Sequence, residues 1–235
     1  MPAPRRALII IDAQQQYASG PLRIQYPAWE GSLERIAQAI DAAQEAGLPI
    51  AVVQHSSGRG ARAFNPGTPQ FELAPGIAER LRPGWKRVVK ERSSAFISTD
   101  LGPWLREQGV DTIALAGYMT NNCVLATAVD AERWGMSAEV PSDATGAIHL
   151  ANAAGAVSAQ ALHESLMVLL QSNWAAVASA RKWTDAVRSG RPLRPNGLAA
   201  SALAGTASAC PAAPGCSPHR HASYPPLSSK GSPTT

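Results

Sequence analysis

Short apolar runs recur along the chain, each followed by a stretch with helical spacing, and this alternation limits the possible folds more than any other feature. Leu8 to Ile11 is a continuous apolar run, as expected of a strand buried on both faces. Leu33, Ile36, Ala37 and Ile40 then fall at helical spacing, with Ser32 the expected N-cap and Gly47 the stop. Pro49 to Val53 reads as a second strand, and Lys86 to Lys90, centred on Val88 and Val89, as a third. A helix is expected over Leu101 to Gln108, a fourth strand over Thr112 to Ala116, and a helix from Cys123 to Trp134, ahead of Gly135. Ser137 to Val140 reads as a fifth strand ended by Pro141, and Leu162, Leu166, Leu169 and Leu170 mark a long helix. Trp174 to Ala178 is the sixth strand, and Lys182 to Val187 a last short helix. Repeated strand–helix–strand units predict a three-layer α/β/α fold, doubly wound around a mostly parallel six-stranded sheet. The stretch from His55 to Leu81 interrupts this rhythm with Pro66, Pro69, Pro75 and several glycines. A connection of that length is more often functional than idle.

The 235 residues, 45% of them hydrophobic, suffice for one domain with a sizeable core. A net charge of +4 raises the question of nucleic acid, but its distribution answers it. From Ser189 onward the charged residues are Arg191, Arg194, Arg220 and Lys230, with no acid, so these four account for the whole excess. Residues 1–188 are therefore neutral overall and have no net attraction for phosphates, which argues against a nucleic-acid partner. Residues 189–235 are rich in Pro, Ser and Ala, bury too little to offset their ordering entropy, and are expected to form a disordered basic tail behind a single domain at 1–188. No apolar run is long enough to span a membrane, and the one near the N-terminus is too short for a secretion signal. Of three cysteines only Cys123 lies in the body, which suits a reducing compartment, and a cytoplasmic location is expected.

Cys123 follows the fourth strand where a strand pattern gives way to a helical one. Unpaired N–H groups and the positive end of the helix dipole favour a thiolate there. Asp12 follows the first strand and Lys90 ends the third, so an acid, a base and a nucleophile fall at the carboxyl ends of three strands, where open parallel sheets bind ligands. On this reading Lys90 lowers the thiol pKa further, and Asp12 accepts the thiol proton and returns it to a leaving group. Taken singly, each residue has a plainer reading: Cys123 as a core thiol, Lys90 as a snorkelling strand end, Asp12 as a cap. Asp130 and Asp143 read as structural acceptors. The stretch Gly58-Arg59-Gly60-Ala61-Arg62-Ala63 fits a loose dinucleotide fingerprint but opens no helix, because Pro66 and Pro69 follow. Cys210, Cys216, His219 and His221 match no common zinc spacing.

Together, Ile11-Asp12-Ala13-Gln14, Val89-Lys90-Glu91-Arg92-Ser93-Ser94-Ala95-Phe96 and Gly117-Tyr118-Met119-Thr120-Asn121-Asn122-Cys123-Val124 resemble the isochorismatase-like cysteine hydrolase superfamily. That group includes nicotinamidases, carbamoylsarcosine amidohydrolases and ureidoacrylate amidohydrolases. Ala128-Val129-Asp130-Ala131, Phe64-Asn65-Pro66-Gly67-Thr68-Pro69 and Ser142-Asp143-Ala144 extend the likeness over residues 5–187. The resemblance implies an Asp12–Lys90–Cys123 triad that forms a thioester, and a cis peptide at Tyr118–Met119. It also implies an oxyanion hole built from the backbone N–H groups of Met119 and Cys123. Nicotinamidases usually carry an Asp-x-His metal motif after the second strand; here the chain reads Gln54-His55-Ser56-Ser57, so neither metal nor cofactor is expected. Isochorismatases proper cleave a vinyl ether and typically lack the cysteine, so Cys123 favours C–N hydrolysis of a small amide, ureido or carbamoyl compound.

Gln14, Tyr17, His55, Phe64, Phe96, Tyr118 and Asn122 are the expected substrate contacts, with His55 equally readable as a structural histidine. Phe64, Phe71, Phe96 and Tyr118 are expected in loops that wall the pocket, with Trp29 a weaker candidate. His149 and His163 are expected to face solvent or to be satisfied. A small-molecule substrate is the expected partner, within a homo-oligomer, dimer or tetramer, as is common among such proteins. A fold-mate that kept its thiol for redox sensing or ligand binding is the rival reading, and an ether hydrolase a third.

Overall fold

In the computed structural model, residues 3–209 are described. Six parallel strands form the body of the sheet: β1 (Arg6–Ile11), β2 (Ile50–His55), β3 (Lys86–Lys90), β4 (Thr112–Tyr118), β5 (Ser137–Pro141) and β9 (Ala175–Ala178). Their spatial order is β3-β2-β1-β4-β5-β9. Sequential strands run outward from β1 to β3, and the chain then crosses back to place β4 on the other side of β1. That reversal is a topological switch point, and in open parallel sheets ligands bind beyond the carboxyl ends of the strands at such a point. Every residue of β1 and β4 is buried, which explains their unbroken apolar runs. Strand β3 is at the edge and alternates instead, burying Val88 and Lys90 while Arg87 and Val89 face out.

Helices cover both faces. On one, Leu8, Ile10 and Val52 pack with Ile36 and Ile40 of α1 (Trp29–Glu45) and Trp183 of α6 (Ala180–Ser189). On the other, Ile9, Ile11 and Val53 pack with Leu101 and Leu105 of α3 (Leu101–Glu107), Ala128 of α4 (Leu125–Asp130) and Leu170 of α5 (Ala159–Ser172). The predicted three-layer arrangement is therefore present. Arg6 and Glu139 form a bidentate buried pair across it, at 2.8 and 2.9 Å, which Trp183 Nε1 joins by donating to Glu139 at 2.9 Å.

Several details depart from expectation. Helix α1 begins at Trp29, and Ser32 is no N-cap: its buried hydroxyl lies 2.9 Å from the Trp29 carbonyl oxygen and 2.7 Å from the Tyr118 hydroxyl. A two-residue strand β6 (Thr145–Gly146) pairs with β4, making the sheet seven-stranded, and a small hairpin joins β7 (Leu150–Asn152) to β8 (Gly155–Val157). These pieces are too short to carry a periodic pattern, and every residue of the hairpin strands is exposed. The long connection after β2 contains the short helix α2 (Pro75–Ala78).

Contrary to the expected boundary, order continues past Ser189. Arg6 Nη2 donates to the Arg191 carbonyl, Gln171 Nε2 to the Arg194 carbonyl, and the Asn196 N–H to Gln171 O, tying that segment to the body. Leu198–Ala209 is a helix, α7, consistent with the high helix propensity of its alanines, which overall composition does not weigh. Residues 210–235, including the rest of the expected tail with Cys210, Cys216, His219 and His221, lie outside the described residues. Among the described residues no helix is long and apolar enough to cross a membrane.

Candidate active site

Strand register brings the three reactive side chains to one edge. Ile11 stands opposite both Val53 of β2 and Gly117 of β4, and His55 opposite Lys90, so the carboxyl ends of four neighbouring strands align. Asp12 leaves β1 at φ 48°, in the left-handed region, while its N–H donates to the Val53 carbonyl at 2.9 Å. Gly117, at φ 121°, lets β4 approach: a Cβ there would lie 1.9 Å from the Ile11 carbonyl oxygen. No other residue type fits that contact. The chain then passes through a cis Tyr118–Met119 peptide into a π-helical turn, Thr120–Val124, which holds Cys123.

Lys90 Nζ sits 3.2 Å from Cys123 Sγ, 2.8 Å from Asp12 Oδ2, 3.0 Å from the Arg92 carbonyl oxygen and 3.3 Å from His55 Nδ1. Asp12 and Lys90 are fully buried or nearly so, and Cys123 retains 3% of its surface. Neither Asp12 oxygen receives a well-aligned hydrogen bond among the described residues; the Lys90 contact is close but is an ion pair rather than a directed bond. Burial raises the Asp12 pKa, against the pull of the Lys90 charge. The thiol moves opposite to expectation. Burial and then the Asp12 charge push Cys123 up to about 12, outweighing Lys90. Lys90 does act in the expected direction, but desolvation wins because the sulfur has almost no contact with water. The resting site thus pairs a neutral thiol with a carboxylate of raised basicity.

An aromatic wall adjoins these groups. Tyr17 packs on Phe64 with ring centroids 5.3 Å apart and on Tyr118 at 5.5 Å; Trp29 lies 4.8 Å from Tyr118, and the half-buried His55 meets Phe64 edge-on at 5.0 Å. Burial, helped by the Asp12 charge, raises the Tyr17 pKa well above its usual value, so its hydroxyl stays protonated. Tyr17, His55, Phe64 and Tyr118 are therefore brought together, and Trp29 belongs with them.

Three other expected contacts are placed differently. Gln14 is fully buried, and its amide is engaged with backbone: Nε2 donates to the carbonyls of His55 and Phe71, and Oε1 accepts from the His55 N–H. It clamps the long loop against β2 instead of facing a ligand. Phe96 stacks on Trp134 and lines a separate cavity of about 420 Å³ with Arg106 and Arg133. Asn122 is exposed, and its N–H donates to the Met119 carbonyl. Its neighbour Asn121 carries a buried side-chain oxygen that, like those of Asp12, lacks a hydrogen-bond partner among the described residues. Two adjacent asparagines are indistinguishable by composition, and only the turn's geometry separates them.

Supporting residues also escaped the sequence. Gln16 Oε1 accepts from the Phe64 N–H, holding Phe64 at φ 50°. Thr127 Oγ1 donates to the Cys123 carbonyl at 2.7 Å and accepts from the Ala95 N–H, joining the segment after Lys90 to the helix after Cys123. Ser94 donates to Asp130, so that carboxylate serves the same junction, and Asp143 accepts from the Ala180 N–H. His163 is buried and satisfied, its Nδ1 3.0 Å from Thr120 Oγ1, which in turn meets Thr145 Oγ1 at 2.9 Å. His149 Nδ1 accepts from the Ala159 N–H. Among the described residues no three His, Cys, Asp or Glu side chains gather as candidate metal ligands.

Comparison with known proteins agrees with this fold. The isochorismatase domain model matches residues 6–173. A solved structure from Burkholderia xenovorans LB400, provisionally described as an isochorismatase, is 42% identical and superposes with a TM-score of 0.85, covering 89% of this chain and all of that one. A Bacillus subtilis isochorismatase family protein is 31% identical over 73% of this chain and 94% of its own length. Maleamate amidohydrolase of Pseudomonas putida is 31% identical over 61% of this chain and 73% of its own.

Proposed function

Since this chain belongs to the isochorismatase family of hydrolases, we propose that it cleaves a C–N bond of a small amide, ureido or carbamoyl compound through a thioester on Cys123. One observation supports this above all: Lys90 Nζ lies within 3.2 Å of the Cys123 sulfur and 2.8 Å of the Asp12 carboxylate, in a buried site. The likeness to maleamate amidohydrolase, an enzyme named for an amide, points the same way.

The proton affinities suggest the order of events. A thiol near 12 is not a free thiolate at neutral pH, so its proton leaves as sulfur attacks the carbonyl carbon. Asp12 takes that proton, and its raised pKa makes it the better base. The tetrahedral oxyanion then collapses: the C–N bond breaks and Asp12 returns the proton to the departing nitrogen. Water next attacks the thioester, giving one proton to Asp12; the C–S bond breaks, and that proton goes back to sulfur. Lys90 stays charged and holds the carboxylate and the developing thiolate in place. The Asn122 and Val124 N–H groups are already engaged with the Met119 carbonyl, which supports Met119 and Cys123 as the oxyanion donors. Gln54-His55-Ser56-Ser57, in place of a metal motif, supports a reaction that runs without a metal.

Ammonia or amine release from a panel of small amides and ureido acids tests the reading, with mass spectrometry to trap the acyl-enzyme. Cys123→Ala, Lys90→Met and Asp12→Asn should each lower turnover by about a thousandfold or more. Full activity in Cys123→Ala would instead favour ether hydrolysis and end the proposal.

A further inference from the structure

We propose that His55 is a specificity-determining residue, a neutral imidazole protonated on Nε2 that donates a hydrogen bond to a second oxygen of the substrate. The substrate class is thereby narrowed to amides that carry a carboxylate or another carbonyl near the scissile bond. This rests on the C–N hydrolase reading above.

The argument begins with Lys90. An ammonium group has donors only. Its nitrogen lies 3.3 Å from His55 Nδ1, so that ring nitrogen faces it with a lone pair, and the ring proton resides on Nε2. Asp12, the Arg92 carbonyl and Cys123 are closer partners for the three ammonium N–H groups, so it is the charge that acts on the ring: a proton on Nδ1 would point an N–H dipole at the ammonium. A second proton on the ring would place an imidazolium beside the ammonium, and burial together with the Lys90 charge opposes this, holding the ring's proton uptake down near 4. His55 is therefore a neutral donor at neutral pH.

The Nε2–H has little to bind within the chain. The Ser57 hydroxyl stands 3.5 Å away, at the limit of a hydrogen bond. The ring is only half buried, and Phe64 packs perpendicular to it, with Tyr17 on Phe64 in turn. Gln14 accepts from the His55 N–H and donates to its carbonyl, so the backbone beneath the ring is fixed. A weakly engaged N–H on a rigid, largely apolar wall, one contact from the lysine that touches the sulfur, is a recognition element for an oxygen acceptor.

The test uses the full-length protein. Long-range ¹H–¹⁵N NMR of histidine-labelled protein should show His55 protonated on Nε2; protonation on Nδ1 would overturn the proposal. Rates on succinamate and butyramide, equal in chain length but only one bearing a carboxylate, should favour succinamate by about tenfold or more in kcat/KM. His55→Phe should bring that ratio close to one, and His55→Gln, whose amide can still donate, should keep a preference. A ratio that survives in His55→Phe overturns the proposal. Should wild-type protein hydrolyse neither amide, the hydrolase reading is in doubt, and the Nε2 resonance decides this one separately: a shift on adding succinamate but not butyramide supports it, and no shift refutes it.

Discussion

The Lys90 ammonium nitrogen lies 3.2 Å from the sulfur of Cys123, yet the thiol beside it is harder to ionise than a free cysteine, not easier. The cation is the smaller influence. The sulfur has lost nearly all of its water, and the Asp12 carboxylate repels a second negative charge from the same enclosure. Lys90 therefore keeps Asp12 ionised and ready as a base, more than it generates a standing thiolate.

That balance sets the pH dependence of alkylation. With its thiol near 12, Cys123 should react with iodoacetamide far more slowly at pH 8 than an ordinary cysteine, whose pKa is about 8.5. Its rate should still be rising at pH 10. Asp12→Asn should shift the profile to lower pH by removing the repelling charge, and Lys90→Met should shift it higher. Peptide mass spectrometry reads the site directly. A profile centred below pH 8 would show that the cation prevails after all.

His55 links the site to acid stability. Folded, it takes up its proton at about 4, compared with 6.5 for an unperturbed histidine. As pH falls, the unfolded chain binds that proton first, so the support His55 gives the fold is present above pH 6.5 and is lost progressively down to about 4. The urea midpoint should drop over this window, and less so in His55→Gln. In Lys90→Met the His55 titration, followed by its ring proton resonance, should move up toward 6.5.

Gly117 is the point where β1 and β4 come closest. Gly117→Ala forces a methyl to within 1.9 Å of the Ile11 carbonyl oxygen and places alanine at φ 121°. The strands must part, so a loss of about 3 kcal/mol or more is expected in urea melts, together with loss of hydrolysis. Gly135→Ala is the control: φ is 67°, but nothing lies within 4 Å, and a cost of about 1 kcal/mol follows from backbone conformation alone.

Glu139 tests the framework away from the chemistry. It accepts two hydrogen bonds from buried Arg6 and one from Trp183. Glu139→Ala leaves a guanidinium buried without its counter-charge and should cost about 3–5 kcal/mol. A double variant with Arg6→Met should recover part of that loss, since it removes the stranded charge.

Much of the site is legible in the residues themselves. Asp12, Lys90 and Cys123 each close or follow a short apolar run, and a strand's carboxyl end is a local property of its pattern. Phe64, in the long connection after β2, is also legible, as is Tyr118 by its place at the end of a strand. Gln14, Phe96 and Asn122 are not, because their type suits recognition and only their partners reveal other work: backbone clamping, stacking on Trp134, and exposure to solvent. Ser32 has the type and place of a helix cap, but its hydroxyl meets that of Tyr118 instead.

The layered parallel fold and the three side chains at its edge are properties of local sequence, because buried strands and helices write their periods into neighbouring residues. Tertiary contacts set the rest: the strand order that seats β4 beside β1, the Gly117 contact that permits it, and the proton affinity of the thiol. Strand neighbours are chosen by residues distant in the chain. Proton affinity sums desolvation with every nearby charge, and here the lost water outweighs the lysine that the sequence makes conspicuous.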